Sequence, residues 1–159
     1  MKALTVYQPW ASLECLGLKG TETRAWATSY RGPLLVHAGV RWTADEIAAL
    51  GRIVGYLSLT DGPQLPIKLP FGAVLAVAEL LDCVQVTTEN ETSFSAFDRL
   101  AGDCSLGRWV WILGRIQPLP EPIPWRGAQG LWTPPPALER LVRKAVAGHR
   151  LAEVGGRTS

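Results

Sequence analysis

The stretch Gly17–Arg24, GLKGTETR, sets a lysine, a glutamate and an arginine among two glycines and two threonines. A lysine becomes a nucleophile or base only when burial or a neighbouring cation lowers its pKa. Arg24 can supply such a cation, whereas a carboxylate at Glu22 keeps Lys19 charged. Charged Lys19 suits holding a phosphate or polarising a carbonyl. The flat donor fork of Arg24 suits a phosphate or a base edge. Glu22 then orients one of the two cations or accepts a proton. A further acid, Glu79, sits between Ala78 and Leu80 in the longest apolar run. An acid there is either buried with a partner or opens onto a cleft, and Lys19 and Arg24 are its expected partners. The alternative is an ion-pair network of Lys19, Glu22, Arg24 and Glu79 that merely closes the fold.

Elements must position these groups. Residues 21–28, TETRAWAT, alternate like a strand, which puts Glu22, Arg24 and Trp26 on one face and Thr21, Thr23 and Ala25 on the other. Before it, KALTVY (2–7) reads as a strand and QPWASLECLG as a short helix, with Pro9 in its first turn and Gly17 as its stop. PLLVHA (33–38) reads as a strand buried on both sides, so His37 at its end reads as structural. T-A-D-E (43–46) is a capping box that opens a helix carrying Ile47, Leu50, Ile53, Val54 and Leu57 at helical spacing. Residues 58–70 form a Pro-rich loop, and 72–87 a long strand. A short helix is expected near 95–100, then a strand over 108–119 with a bend or bulge at Gly114. The Pro/Gly-rich run after it is expected to be irregular, and 137–152 to be helical.

At 159 residues and 47% apolar composition the chain is expected to fold as a single domain over 1–152, with a flexible tail over 153–159. No apolar run approaches the roughly 18 residues of a membrane span, and MKALTVYQPW lacks the apolar core of a signal peptide, so a cytoplasmic location is expected. Cys15, Cys83 and Cys104 fit no zinc or CxxC spacing, and HExxH, GxxxxGK[ST] and GxSxG are absent. Neither a metal nor an organic cofactor is expected. Charge is uneven: residues 1–42 carry five basic and two acidic side chains, 43–106 three and nine, 107–159 eight and three. A fold that joins the ends makes a basic face that attracts phosphates, unless local pairs cancel it. Among seven tryptophans, Trp26, Trp42, Trp109 and Trp125 lie within two residues of an arginine, an arrangement that suits base stacking, although core packing is the commoner role.

Gly17, Lys19, Glu22 and Arg24 form G-x-K-x-x-E-x-R, and with this motif the chain resembles the ASCH family. QPWASL before it and YRGPLLVHA, FGAVLAVAEL and RGAQGLW after it extend the resemblance over most of 1–135. It implies an α+β fold: a PUA-like mixed β-barrel of about five to six strands with peripheral helices, and a cleft between barrel and helix. The family has been proposed to bind RNA; some members are ribonucleases on single-stranded RNA, and others deacetylate acetylated cytidine with a lysine, a threonine and a glutamate. The lysine maps to Lys19 and the glutamate to Glu79, while the threonine position holds Glu22. Thr21 is one residue off and therefore on the opposite face of a strand. The expectation is a protein that binds single-stranded RNA, a nucleotide or a nucleoside. A hydrolase on the same ligands, using Lys19, Glu22 and Glu79, is the alternative, and a protein-binding adaptor a second one. Trp10, Lys19, Arg24, Tyr30, Arg31 and Arg126 are the expected ligand contacts, with Tyr30 stacking on a base and the Arg126–Gly130 segment forming a backbone-rich loop.

Overall fold

Period-two burial builds the sheet. In β1 (Lys2–Val6) and β3 (Gly32–Ala38), Leu4, Val6, Leu34, Val36 and Ala38 feed one apolar cluster while Ala3 and Leu35 feed another. Both faces are therefore covered, as a continuous apolar run such as PLLVHA requires. The computed structural model describes residues 1–66 and 68–155, with side chains as far as Gly148. The described residues form a six-stranded mixed sheet in the order β2-β5-β4-β3-β1-β6, with β1 parallel to β3 and every other pair antiparallel. The remaining strands are β2 (Thr21–Arg24), β4 (Ala73–Gln85), β5 (Trp109–Pro124) and β6 (Leu131–Trp132). The sheet curls into a half-barrel whose two edge strands, β2 and β6, are not paired with each other.

Four helices lie around it: α1 (Trp10–Cys15), α2 (Ala44–Leu59), α3 (Ala96–Ala101) and α4 (Pro136–Gly155). Helix α1 packs Ala11 into the first cluster and sends Leu13 into a third, where it meets Ile53 and Leu57 of α2 and Ala101 of α3. Helix α4 places Leu138 and Val142 on the opposite sheet face. Helix α4 runs to Gly155, and the last four positions of the expected tail, 156–159, lie outside the described residues.

Three expectations need correction. Strand β2 stops at Arg24, four residues early, where the chain turns so that Trp26 meets the buried Trp111 edge-on at 4.7 Å. In α2 the buried stripe is Glu46, Ala49, Ile53 and Leu57; Ile47 and Val54 face solvent. Strand β5 continues through the Pro-rich run to Pro124. Pro118, Pro120, Pro122 and Pro124 are spaced by two, so their missing N–H groups all fall on one side of the strand. That side lies beyond β2, which pairs only with Trp109–Ile112, while the other side pairs with β4. The bulge expected at Gly114 is present: the β4–β5 register shifts on both sides of Glu79, the partner of Gly114. A Cβ at Gly114 would lie 2.5 Å from Leu81 Cδ1, so a larger residue there would push that half-exposed leucine aside.

Candidate functional site

Helix α1 ends on Gly17, whose φ of +69° is the left-handed conformation that glycine adopts without penalty. The turn closes with the backbone N–H groups of Leu18 and Lys19 donating to the Leu13 carbonyl at 2.9 and 3.2 Å. It drives the Lys19 side chain into the protein, where the residue has no solvent exposure. Lys19 Nζ donates to the Thr21 carbonyl and to Glu22 Oε2 at 3.1 Å, and lies 3.7 Å from Glu14 Oε1. The other Glu22 oxygen, Oε1, is 3.0 Å from Arg24 Nε as an ion pair. Arg24 Nη2 donates to the Thr5 carbonyl at 2.9 Å, which ties β2 to the end of β1. Glu22 thus sits between two cations, and the Arg24 guanidinium keeps a partly exposed edge.

Protonation follows from this packing. Burial works to lower the Lys19 pKa, but the Glu22 and Glu14 carboxyls outweigh it and hold the ammonium above its ordinary range. Burial likewise opposes the Glu22 charge, and Lys19 and Arg24 overcome it, so Glu22 is held below the ordinary carboxylate range. Glu14 goes the other way. Burial pushes it well above the ordinary range, and the neighbouring Glu22 charge adds to this. Neither Glu14 oxygen accepts a hydrogen bond from a protein donor. Burial and the Glu22 charge thus both favour the protonated form of Glu14.

Lys19, Glu22 and Arg24, but not Glu14, line an open cavity of about 400 Å³. Val6, Tyr7 and Trp10 make one wall, Leu100–Asp103 and Arg108 the opposite one, and Arg52 of α2 the rim. The far wall is fixed to β2 by Thr21 Oγ1 donating to Asp98 Oδ1 at 2.7 Å and by Asp103 N donating to Thr23 Oγ1 at 3.2 Å. Arg108 is paired with Asp103 at 3.2 Å; Arg52 has no carboxylate within 4.0 Å among the described residues. The cavity therefore offers cationic groups, two aromatic rings and two paired carboxylates, Glu22 and Asp103.

Of the site residues expected from the sequence, the cavity gathers Lys19, Glu22, Arg24 and Trp10. Glu79 does not join them. Its carboxylate pairs with Arg115 at 3.2 Å on the sheet surface, not with Lys19 or Arg24. Tyr30 donates its hydroxyl to the Pro33 carbonyl at 2.6 Å and packs on the core; Arg31 pairs with Asp82 at 2.7 Å. Neither lines the cavity. Arg126 lines a different one, with His37 and Trp125. Sequence reading missed Glu14, Tyr7, Arg52, Asp103 and Arg108. Glu14 had a signal: a lone acid in an apolar helix, four residues after Trp10 and therefore on the same helical face. Arg52 and Asp103 come from distant segments and had none.

The fold has solved counterparts. The ASCH protein of Zymomonas mobilis superposes with a TM-score of 0.55 at 14% identity, over 89% of this chain and 93% of that one. Two single-residue variants of that protein match equally, with TM-scores of 0.54 at 15% and 16% identity and the same 89% of this chain. The chain has the ASCH fold. The PUA-like α+β expectation read from GLKGTETR and its flanks is thereby upheld. No family model matches. Among curated proteins, this ASCH-fold chain is 32% identical to mouse activating signal cointegrator 1 over 102 residues, 57% of the chain. It is 35% identical to the human protein of that name over 82 residues, 51% of the chain. It spans only 17% and 14% of their lengths.

Proposed function

We propose that the protein binds single-stranded RNA or a nucleotide-sized part of it in the Lys19–Glu22–Arg24 cavity. One observation carries this reading: a cavity of about 400 Å³ lined by four cations, Lys19, Arg24, Arg52 and Arg108, against two carboxylates, with Tyr7 and Trp10 beside them. A phosphate meets Arg24 and Arg52, and a base finds an aromatic face. Lys19 contributes as a fixed positive charge. Its ammonium donates to the Thr21 carbonyl and to Glu22 and pairs with Glu14 at 3.7 Å, and its raised pKa removes the free amine a nucleophile needs. Binding without turnover is therefore favoured over deacylation, a preference strengthened by Glu22 at the threonine position and by Glu79 lying elsewhere.

A hydrolytic reading draws on a different observation, the paired carboxyls Glu14 and Glu22 with pKa values pushed in opposite directions. Such a split is how one site holds an acid beside a base. The deciding experiment incubates the protein and its Arg24→Ala and Glu22→Gln variants with single-stranded RNA and with acetylated cytidine. Binding at low salt that Arg24→Ala weakens at least about tenfold, the loss of one charge-assisted contact, with no new product, supports the binding reading. Product that disappears in Glu22→Gln replaces it with the hydrolytic one.

A further inference from the structure

A second cavity, of about 360 Å³, lies on the other side of the end of β1. Its walls are Thr5 and Tyr7 of the β1 end, His37 of β3, Arg41, and the Trp125–Gln129 segment. Tyr7 lines both cavities. Thr5 joins them chemically: its carbonyl accepts from Arg24 in the first, and its hydroxyl donates to the Ala128 carbonyl of the second at 2.9 Å.

Three features mark this cavity as a built site. Arg41 is held in place, its Nε 3.0 Å from Glu46 and its guanidinium 5.2 Å above the Tyr7 ring. Arg126 is exposed and has no carboxylate within 4.0 Å among the described residues. His37 is only 2% exposed; its Nε2 donates to the Trp125 carbonyl at 2.9 Å, and its Nδ1 is buried without a partner. Gly127 packs directly against the ring at that nitrogen, where a larger residue would clash. A Cβ at Gly127 would lie 2.5 Å from His37 Cε1, 2.7 Å from Nδ1 and 2.7 Å from Thr5 Oγ1. Two guanidinium groups with the Tyr7 and Trp125 rings in one lining suit a phosphate with sugar and base attached.

We propose that this second cavity holds the nucleotide adjacent to the one in the Lys19 cavity, with its phosphate on Arg126 and Arg41. The ligand is then at least two nucleotides long and crosses the chain at Tyr7. This rests on reading the first cavity as a nucleotide site.

The test uses the full-length protein, a ribomononucleotide and a 5′-phosphorylated ribodinucleotide. Affinity is measured by calorimetry, and the imidazole resonances of His37 by NMR, with His149→Gln identifying which of the two histidines is which. The dinucleotide is expected to bind at least about tenfold tighter, because its second half binds at a raised effective concentration. It should also shift the His37 resonances. Arg126→Ala, an exposed position that leaves the fold intact, and Gly127→Ala, which crowds the His37 ring in the cavity wall, should each remove both effects and leave mononucleotide affinity within about twofold of the unmodified protein, as for separate sites. Mononucleotide binding that depends on Arg24, with no gain from the second nucleotide or with His37 unmoved, overturns this inference and leaves the first-cavity reading standing. A protein that binds neither probe at low salt overturns both.

Discussion

Lys19 is the most confined charge in the protein, and its surroundings show what a buried cation needs. The ammonium donates to the Thr21 carbonyl and to Glu22, and Glu14 lies 3.7 Å away as a further ion-pair partner. Lys19→Met removes the cation and leaves the Glu22 charge buried with Arg24 alone. Loss of one partner from a buried pair costs about 3–5 kcal/mol, which denaturant unfolding will show as a lowered midpoint. Glu14 and Glu22 tilt the pH profile in opposite senses. Glu22, with its lowered folded pKa, contributes stability that is present above the ordinary 4.5 and is lost as pH falls through the folded value. Glu14, with its raised pKa, contributes stability that is complete below 4.5 and is lost as pH rises through its folded value. Glu14→Gln, which keeps the shape and cannot ionise, is expected to abolish the decline on the alkaline side while preserving the acid limb. Thermal midpoints measured upward from pH 4.5 check this; an unchanged alkaline limb means that Glu14 is ionised in the native protein.

At the scale of elements, legibility depended on whether a signal was local. The capping box at Thr43 is local, and it is present: Glu46 accepts from the Thr43 backbone N–H at 2.7 Å. Glu46→Ala is expected to cost about 1 kcal/mol from the lost cap, and more if Arg41 loses its anchor; chemical denaturation measures it. Strand β3, buried on both faces, was equally readable from PLLVHA. The motif in β2 could be read as a charged wall because period two sets its faces within four residues. Glu79 was misplaced because its partner depends on a bulge. The register shift around Gly114 brings Arg115, at φ +47°, to the Glu79 carboxylate, and nothing in the apolar run announces that. The far wall of the cavity was invisible for a similar reason: α3 and the turn after it are tied to β2 by Thr21 donating to Asp98 and by the Asp103 backbone N–H donating to Thr23, some eighty positions away. The tryptophans split as packing requires, with Trp111 fully buried while Trp26 and Trp42 keep exposed edges against Trp111 and Phe71.

Across the whole molecule the uneven charge of the sequence is partly offset by ion pairs. Arg31 and Arg41 from the first segment, and Arg108 and Arg115 from the last, pair with Asp82, Glu46, Asp103 and Glu79 of the acidic middle. Among the described residues Arg52 beside one cavity and Arg126 beside the other have no carboxylate within 4.0 Å, and the same holds for Lys2, Lys68, Arg99, Arg140 and Lys144 elsewhere. RNA affinity is therefore expected to show a shallow salt dependence. The log–log slope should be about −0.7 for each phosphate neutralised on a single strand, and Arg52→Ala should remove about one phosphate's share. Affinity measured across a salt series decides it; a slope unchanged in the variant places the phosphate elsewhere. No helix among the described residues is long and apolar enough to cross a membrane. The alternating prolines of β5 bear on a different kind of encounter. Where β2 ends, an open sheet margin begins, and a margin with free N–H and C=O groups invites a strand from another chain. Along Pro118–Pro124 every second residue offers a carbonyl but no donor, so a visiting strand would leave its own carbonyls unanswered. The prolines thus act as a guard against strand-by-strand self-association.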